Sequence, residues 1–584
     1  MINKKNNIAF IIYAILFFLV FIFIFRNLVF NINKNLISQA DYLFVIWQIY
    51  QNINKILTLD FLNFFNINAF YPNKLTLLFS DTLLPQSILA LPLSLITNNR
   101  ILVFNILFIF TFLLDYLSLF LFWQKLFKND LISFIGSIFF IFSPYFHLQL
   151  GHFQMLSYWP FFFSLYFLLK NKEKKAFKNI FYVGFFLAIQ FLASVYIAYF
   201  LAFMVFIFYL VYIPGSKQKK EYIKEIILIF LIFFILDGVF IKNYISVKSI
   251  YQIKRDTKEY IQYSAHLSDY FFTSNINSLL HKSFFLNKWN SLDKHSLGEK
   301  SSFPGFLFST LFLIGLFSIN FRKGNFNILV KLNKERLFFI ILLLSGFYFS
   351  LGPRLSFNGN YAHIPTVYHL ILNGFPLIQP IRALARWSFL FYLSIVYFNL
   401  LTVEKFLKSN SKLLFSFIFF LIFIIEYLPL NLKSSYFKNE IAEKRNKLIL
   451  KEVCRTKKKV LLEIPFTHLD AKGGIVIGLN YINSVLLSSL EHKCYLINGY
   501  SGVDLQSVFF MRDEIYEAIN KKDLNKFLNI LKANKINFVK INKKYLLPEI
   551  KLGYDNFINY FKNSFYFNNL KLKNLNDYDL IIIN

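Results

Sequence analysis

Apolar runs long enough to cross a bilayer recur along this chain, and nothing else constrains its fold as strongly. A helix crossing the hydrocarbon core needs roughly 20 mostly apolar residues. The first run is Ile8–Phe25, behind Lys4 and Lys5. Later runs centre on 102–123, 131–146, 153–169, 179–195, 197–213, 226–243, 304–320, 336–351, 387–403 and 411–428. The stretch 179–213 is too long for one crossing and divides near Tyr196. These runs predict a polytopic α-helical membrane protein with about 11 transmembrane helices. Composition agrees: 56% of residues are apolar and only 16% charged, against about 45–50% and 25% in soluble domains. A disordered chain is excluded. So is a soluble basic nucleic-acid binder, because this much apolar surface has nowhere to go in water. The first run reads as an uncleaved span, since Arg26-Asn27-Leu28-Val29-Phe30 follows it where a signal peptide would carry small residues.

The net charge of +31 then becomes a statement about orientation. Lys and Arg collect in cytoplasmic loops. With the N-terminus inside, the inside connections hold Lys125 and Lys128, Lys170 to Lys178, Lys217 to Lys224, Arg322 to Arg336, and Lys405 to Lys412. The tight turns at 147–152 and Tyr196 carry none. The expected topology is N-in and C-out. Residues 1–430 form the transmembrane domain, with long outer loops at 31–85, 244–303 and 352–386, and 431–584 forms an extracytoplasmic domain.

The tail reads as a small α/β domain. Val460–Ile464, Cys494–Ile497, Ile536–Ile541 and Leu580–Ile583 are strand-like. Leu524, Phe527, Leu528 and Leu531 recur at helical spacing. The only cysteines, Cys454 and Cys494, lie in this tail. A bridge is open to them outside the cell, but two unpaired thiols are the expectation.

Several polar residues ask for a reason. Asp41 follows the first span, with Trp47 six residues on, and Asp81 closes the same loop. A carboxylate at the membrane surface can act as a general base on an acceptor hydroxyl. It can equally sit at a helix start, here before an interfacial helix over 42–50. Asp60, the third acid of the loop, reads as solvated. The 352–386 loop has Arg354, Arg382 and Arg386 and no Lys, in a chain that otherwise prefers Lys. Guanidinium groups bind phosphate bidentately, and on a helix Arg382 and Arg386 share a face. Head-group anchoring beside Trp387 is the alternative. His152 and Gln154 lie in a short outer turn, where they either bind substrate or satisfy the turn. Asp115 falls mid-span and must face the bundle interior with a partner.

The ordered succession of these fragments resembles the GT-C superfamily, and within it an uncharacterised bacterial group. The landmarks are Asp41 with Trp47, Phe70-Tyr71-Pro72 leading to Asp81, Phe142-Ser143-Pro144, and His152-Phe153-Gln154. Gly352-Pro353-Arg354, Arg382 with Arg386, Glu463-Ile464-Pro465 and Asn498-Gly499-Tyr500-Ser501-Gly502 follow. Two departures are Ala40 in place of a Gly before the first acid, and Arg382-Ala383-Leu384-Ala385-Arg386 in place of an Arg-Val-Pro-Ala-Arg segment. The resemblance implies a glycosyltransferase using a polyprenyl-phosphate-linked sugar donor and a glycan, lipid or protein acceptor. It implies an inverting single displacement with Asp41 first and Asp81 second as catalytic carboxylate. Arg382, Arg386 and Arg354 would meet the phosphate, and His152 and Gln154 the substrate. No cofactor is certain. Some relatives use a divalent metal (Mg or Mn) and others do not, and its ligands are unknown. Membrane lipids are the other expected partner; nucleic acid is not. Two alternatives stay open, a transporter or flippase of lipid-linked glycans and a non-catalytic envelope scaffold.

Overall fold

The computed structural model describes residues 4–38, 40–253, 255–271, 302–320, 333–374, 381–407, 479–503 and 505–543. It also describes 422–423, 425–426, 434–436, 454, 459–466, 546, 553–559, 570–575 and 578–583. The chain divides into two compact units: 1–37, 105–240 and 254–434 form the first, and 38–104, 241–253 and 435–584 the second.

Helices occupy every expected span except 411–428, most of which lies outside the described residues. The longer helices up to Leu407, of which α2 and α3 fall outside the expected spans, are α1 (Lys4–Ile24), α2 (Ala40–Leu57), α3 (Leu84–Ile96), α4 (Arg100–Phe127), α5 (Asp130–Ile141), α6 (Trp159–Glu173), α7 (Phe177–Ala193), α8 (Val195–Tyr212), α9 (Lys219–Ile250), α10 (Phe306–Asn320), α11 (Lys334–Ser350) and α12 (Ser388–Leu407). Among the described residues, four segments are long and apolar enough to cross a membrane: Arg100–Phe127, Asp130–Gly151, Val195–Tyr212 and Leu384–Leu407. Shorter apolar helices lie at Ala9–Ile24, Leu84–Ile96, Phe177–Ala193 and Phe306–Gly315.

The side-chain pattern of α1 shows the solvent it was built for. Ile11, Ile15, Leu19 and Phe23 form one stripe at i, i+4 spacing, each 55–57% exposed. Phe17, Phe21 and Ile24 on the opposite stripe are buried. Phe17 stacks on Tyr116 of α4 at 4.3 Å between centroids, and Phe21 meets Phe112 edge-on at 5.1 Å. An apolar stripe left uncovered along a whole helix fits hydrocarbon, not water.

Helix breaks follow local chemistry. Ser143 caps a short turn of helix, Pro144–Leu148, and Pro144 supplies the helical φ. Two 3-10 turns then carry the chain to Trp159, so the expected span 153–169 begins as helix only at α6. The 179–213 stretch breaks at Ser194, in extended conformation, two residues before Tyr196. Asp115 is buried, with Oδ1 accepting from Tyr158 N at 2.9 Å, which is the interior partner a mid-helix acid requires.

The second unit is built on a five-stranded sheet of order β4-β3-β5-β7-β6, with β3 (Val460–Ile464), β4 (Tyr495–Leu496), β5 (Phe538–Asn542), β6 (Leu570–Leu575) and β7 (Tyr578–Ile583). The hairpin β1 (Arg354–Phe357) and β2 (Asn360–Pro365) belongs to the first unit. β3 runs parallel to β4 and β5, and β7 runs antiparallel to β5 and β6. Alternation along β3 and β5 sets the two faces. Val460, Leu462, Ile464, Val539 and Ile541 join a core with α14 (Gln506–Asn520) and α15 (Leu524–Ala533). On the other face Glu463 opposes Lys540 in register, and Lys540 Nζ donates to its carboxylate at 3.1 Å. Tyr481 Oη of α13 (Leu479–His492) stands 3.5 Å from the same carboxylate.

The first long loop completes this unit. Tyr71 N donates to Leu496 O at 2.8 Å, and Leu496 N to Asn68 O at 2.7 Å. Residues 68–71 therefore cover the edge that β4 would otherwise expose. α2 packs along α13. Trp47 Nε1 and Asn68 Nδ2 both donate to Ser489 Oγ, at 3.1 and 3.0 Å, and Gln51 Nε2 donates to Asn68 Oδ1 at 2.6 Å. Residues 42–49 are buried on all sides. The interfacial helix expected over 42–50 is thus an interior one, as an all-round apolar helix requires.

Cys454 and Cys494 form a disulfide, which corrects the expectation of unpaired thiols. Their Cα atoms are brought to 5.3 Å, inside the range a bridge spans.

Candidate functional site

Asp41 lies in the first turn of α2, one residue inside its start. A carboxylate there is favoured by the helix dipole and the unpaired N–H groups of the first turn. Tyr500 Oη donates to Asp41 Oδ1 at 3.1 Å. The Tyr500 ring also meets Phe44, one turn along α2, edge-on at 5.4 Å and 86°. Asp41 is neither fully buried nor fully exposed.

Asp81 is tied to the same helix through its neighbourhood. Gln48 Nε2 donates to Asp81 O. Asn52 Nδ2 donates to Thr82 O at 2.8 Å and to Ser87 Oγ at 2.9 Å. Tyr244 Oη donates to Ser80 O at 2.9 Å, and its phenol sits in the field of the Asp81 carboxylate. Gln48 is seven residues beyond Asp41, about 10 Å along a helix axis. The two acids therefore mark different levels of α2. Gln48, Tyr500, Ser501 and Ser80 line a water-sized cavity between these levels, and Gln48 Oε1 is buried there with no hydrogen-bond partner. Asp60 forms a surface ion pair with Lys55.

The three arginines belong to the first unit, and Arg382 and Arg386 gather near Tyr196. Tyr196 Oη accepts from both Arg382 N and Ala383 N, at 2.9 and 3.2 Å. The Arg386 guanidinium lies over the Tyr196 ring at 4.8 Å, and that of Arg382 over Tyr263 at 4.7 Å. Arg382 Nη1 is 3.6 Å from Glu259 Oε1, which also takes Arg255 Nη1 at 2.9 Å. Burial works against the charge on Arg382, but Tyr196, Tyr263 and Glu259 outweigh it and hold the guanidinium above its ordinary pKa, while Arg386 is close enough to repel it. Arg386 is almost fully buried, with its carbonyl accepting from Tyr145 Oη at 3.3 Å.

The two arginines do not share a helix face. Residues 381–383 are non-helical, and only Leu384–Trp387 forms a 3-10 turn. The N–H groups of Arg382 and Ala383 are instead satisfied by the one phenol oxygen of Tyr196. Arg354 stands exposed at the start of β1, opposite Pro365, and takes no part in the Tyr196 arrangement. His152 lies between the two 3-10 turns before α6, and Gln154 lies in the second of them. His152 accepts from Met155 N at 2.8 Å through its carbonyl, and Gln154 Oε1 is buried without a partner.

Tyr196, Tyr263 and Tyr500 are the residues that sequence reading passed over. Tyr500 lay within a quoted landmark, but nothing local to it signalled a partner 459 residues away. Among the described residues no group of three or more His, Cys, Asp or Glu side chains could hold a metal ion.

Residues 10–426 match the family described as "Domain of unknown function (DUF6311)". The chain belongs to that family. The matched part of this DUF6311 protein includes Asp41, Asp81 and the three arginines, and Tyr500 lies beyond it. No curated protein matches the chain in sequence. Among solved structures it is similar to the arabinofuranosyltransferase AftD from mycobacteria, at 9% identity and a TM-score of 0.49, over 85% of this chain and 35% of that one. It is also similar to the oligosaccharyltransferase AglB from Archaeoglobus fulgidus, solved with an inhibitory peptide and a dolichol-phosphate, at 10% identity and a TM-score of 0.45, over 85% of this chain and 65% of that one. The DUF6311 chain thus spans about a third of the AftD chain and just under two thirds of AglB.

Proposed function

We propose that this DUF6311 protein is a membrane glycosyltransferase that moves a sugar from a polyprenyl-phosphate carrier to an acceptor hydroxyl on the outer side of a bacterial inner membrane. The observation that carries the reading is the gathering of Arg382 and Arg386 on Tyr196 and Tyr263. Holding two guanidinium groups within mutual repulsion is costly, and a phosphate diester beside them offsets that cost, the more so as it gains a second negative charge on leaving C1. The aromatic rings beside the two guanidinium groups help to hold them in place.

In the reaction, Asp41 accepts the proton of the acceptor hydroxyl as its oxygen bonds to C1 of the sugar. The bond from C1 to the phosphate oxygen breaks in the same displacement, with inversion, and its electron pair leaves on the polyprenyl phosphate. Arg382 and Arg386 stabilise that charge. Asp41 takes this role ahead of Asp81 because Tyr500 and the start of α2 fix its carboxylate. His152 and Gln154 are assigned to the substrate, and Arg354 remains a weaker phosphate contact. No step is routed through a divalent metal (Mg or Mn).

The test is Asp41→Asn in the full-length protein, in membranes supplied with polyprenyl-phosphate sugars and scored by release of polyprenyl phosphate. Loss of a general base costs typically 10²–10⁴-fold, so release should fall by at least about 100-fold at unchanged protein level. Wild-type release from Asp41→Asn would exclude Asp41 as the base.

A further inference from the structure

We infer that Tyr500 of the C-terminal tail is a positioning residue for Asp41, so that the tail completes the base end of the site instead of hanging beside it. The inference rests on the reading of Asp41 as the proton acceptor. The contact is the end of a braced arm. Asn498 is buried, its Oδ1 accepts from Glu463 N and its Nδ2 donates to Glu463 O, both at 2.8 Å, which locks the arm to the end of β3. Its carbonyl accepts from Phe70 N at 3.2 Å. A Cβ on Gly499 would lie 2.3–2.4 Å from three Phe70 ring atoms, so the arm and the first long loop approach as closely as only glycine permits. Ser501 Oγ and Val503 exchange hydrogen bonds that close the loop just beyond Tyr500.

The direction of the tyrosine is therefore set before its hydroxyl meets anything. Its ring is held by Phe44, and the hydroxyl finishes on the carboxylate at the start of the same helix. Packing alone would be served by the ring. A hydroxyl donating to Oδ1 fixes the plane of the carboxylate and hence the direction of its other lone pairs. Proton transfer depends on that geometry, and a misplacement of about 1 Å can cost around 100-fold.

The experiment compares wild type, Tyr500→Phe and Asp41→Asn as full-length protein in membranes, again scored by release of polyprenyl phosphate from polyprenyl-phosphate sugars. Maleimide-PEG labelling after denaturation checks that Cys454 and Cys494 stay bridged in each variant. Tyr500→Phe keeps the ring and removes only the hydroxyl. The expected result is a 10–100-fold fall in kcat, KM for the donor within about twofold of wild type, and a rate–pH profile of altered shape. A purely structural loss would scale the whole profile without reshaping it. Wild-type kinetics from Tyr500→Phe, with Asp41→Asn inactive, would overturn the positioning role and leave the transferase reading intact. An active Asp41→Asn would overturn both.

Discussion

Gly499→Ala tests how tightly the tail is fitted to the first long loop. The added methyl would meet Phe70 Cζ, Cε1 and Cε2 at 2.3–2.4 Å. Ordinary contact between carbons is about 3.5–4.0 Å, so something must move by more than about 1 Å. The ring has little room, since Phe70 is buried, rests edge-on against Phe79 at 5.4 Å and holds a positive φ of 59°. Overpacking of this kind costs about 1–3 kcal/mol. At about 2 kcal/mol, local opening becomes about 30-fold more frequent. The amides of Leu496 and Ile497, which donate to Asn68 O and Leu461 O, report it directly by hydrogen exchange. Leucine lacks the three ring atoms that clash, so Phe70→Leu supplies the control. Alone it should speed exchange through its cavity, and combined with Gly499→Ala it should add little further. If the two effects simply add, the close approach of Gly499 to Phe70 is not what holds the arm.

Two other outcomes follow from the same unit. Replacing Cys454 by Ser opens a loop between positions separated by 40 residues, for which chain entropy gives a loss of about 4 kcal/mol; thermal unfolding with and without reductant should bring wild type down to the variant, and equal stability of oxidised wild type and Cys454→Ser would refute it. Glu517 accepts from Lys521 Nζ and Lys526 Nζ, both at 2.6 Å, and these bonds pull its pKa down to about 2. A lowered folded-state pKa stabilises above the unfolded value and loses that contribution as pH falls through the folded one. Melting temperature should therefore drop between about pH 4.5 and pH 2, and less steeply in Glu517→Gln, with high salt shrinking the difference; equal slopes would show that the pair contributes nothing.

What could be read in the sequence was what local pattern encodes. The runs that became α1, α4 and α12 are legible because hydrocarbon demands length and apolarity from contiguous residues. In the tail, Val460–Ile464 and Leu524 to Leu531 carry their periods openly, and they became β3 and α15. α13 was not legible, because Asn483, Ser488 and Ser489 interrupt its apolar run, and Ser489 serves partners on other elements, accepting from Trp47 and Asn68. The four-residue spacing of Arg382 and Arg386 suggested a shared helix face, but only Leu384–Trp387 turns, as a 3-10 helix, and Arg382 N and Ala383 N bond to Tyr196, far off in sequence. For the candidate site, residue type pointed to Asp41 and the arginines. Their tyrosine supports were hidden, because a phenol announces nothing until its partner is known.

The pairing of residues 68–71 with β4, and of Tyr500 with Asp41, also sets a clock. Asp41 leaves the ribosome 459 residues before its hydrogen-bond donor. At about 5–20 residues per second, roughly 20–90 seconds pass while the first long loop waits for its sheet. A chain that stops early can insert its helices, but it never receives the arm that fixes the carboxylate. Under the proposed function, chemistry at Asp41 is thereby withheld from unfinished copies.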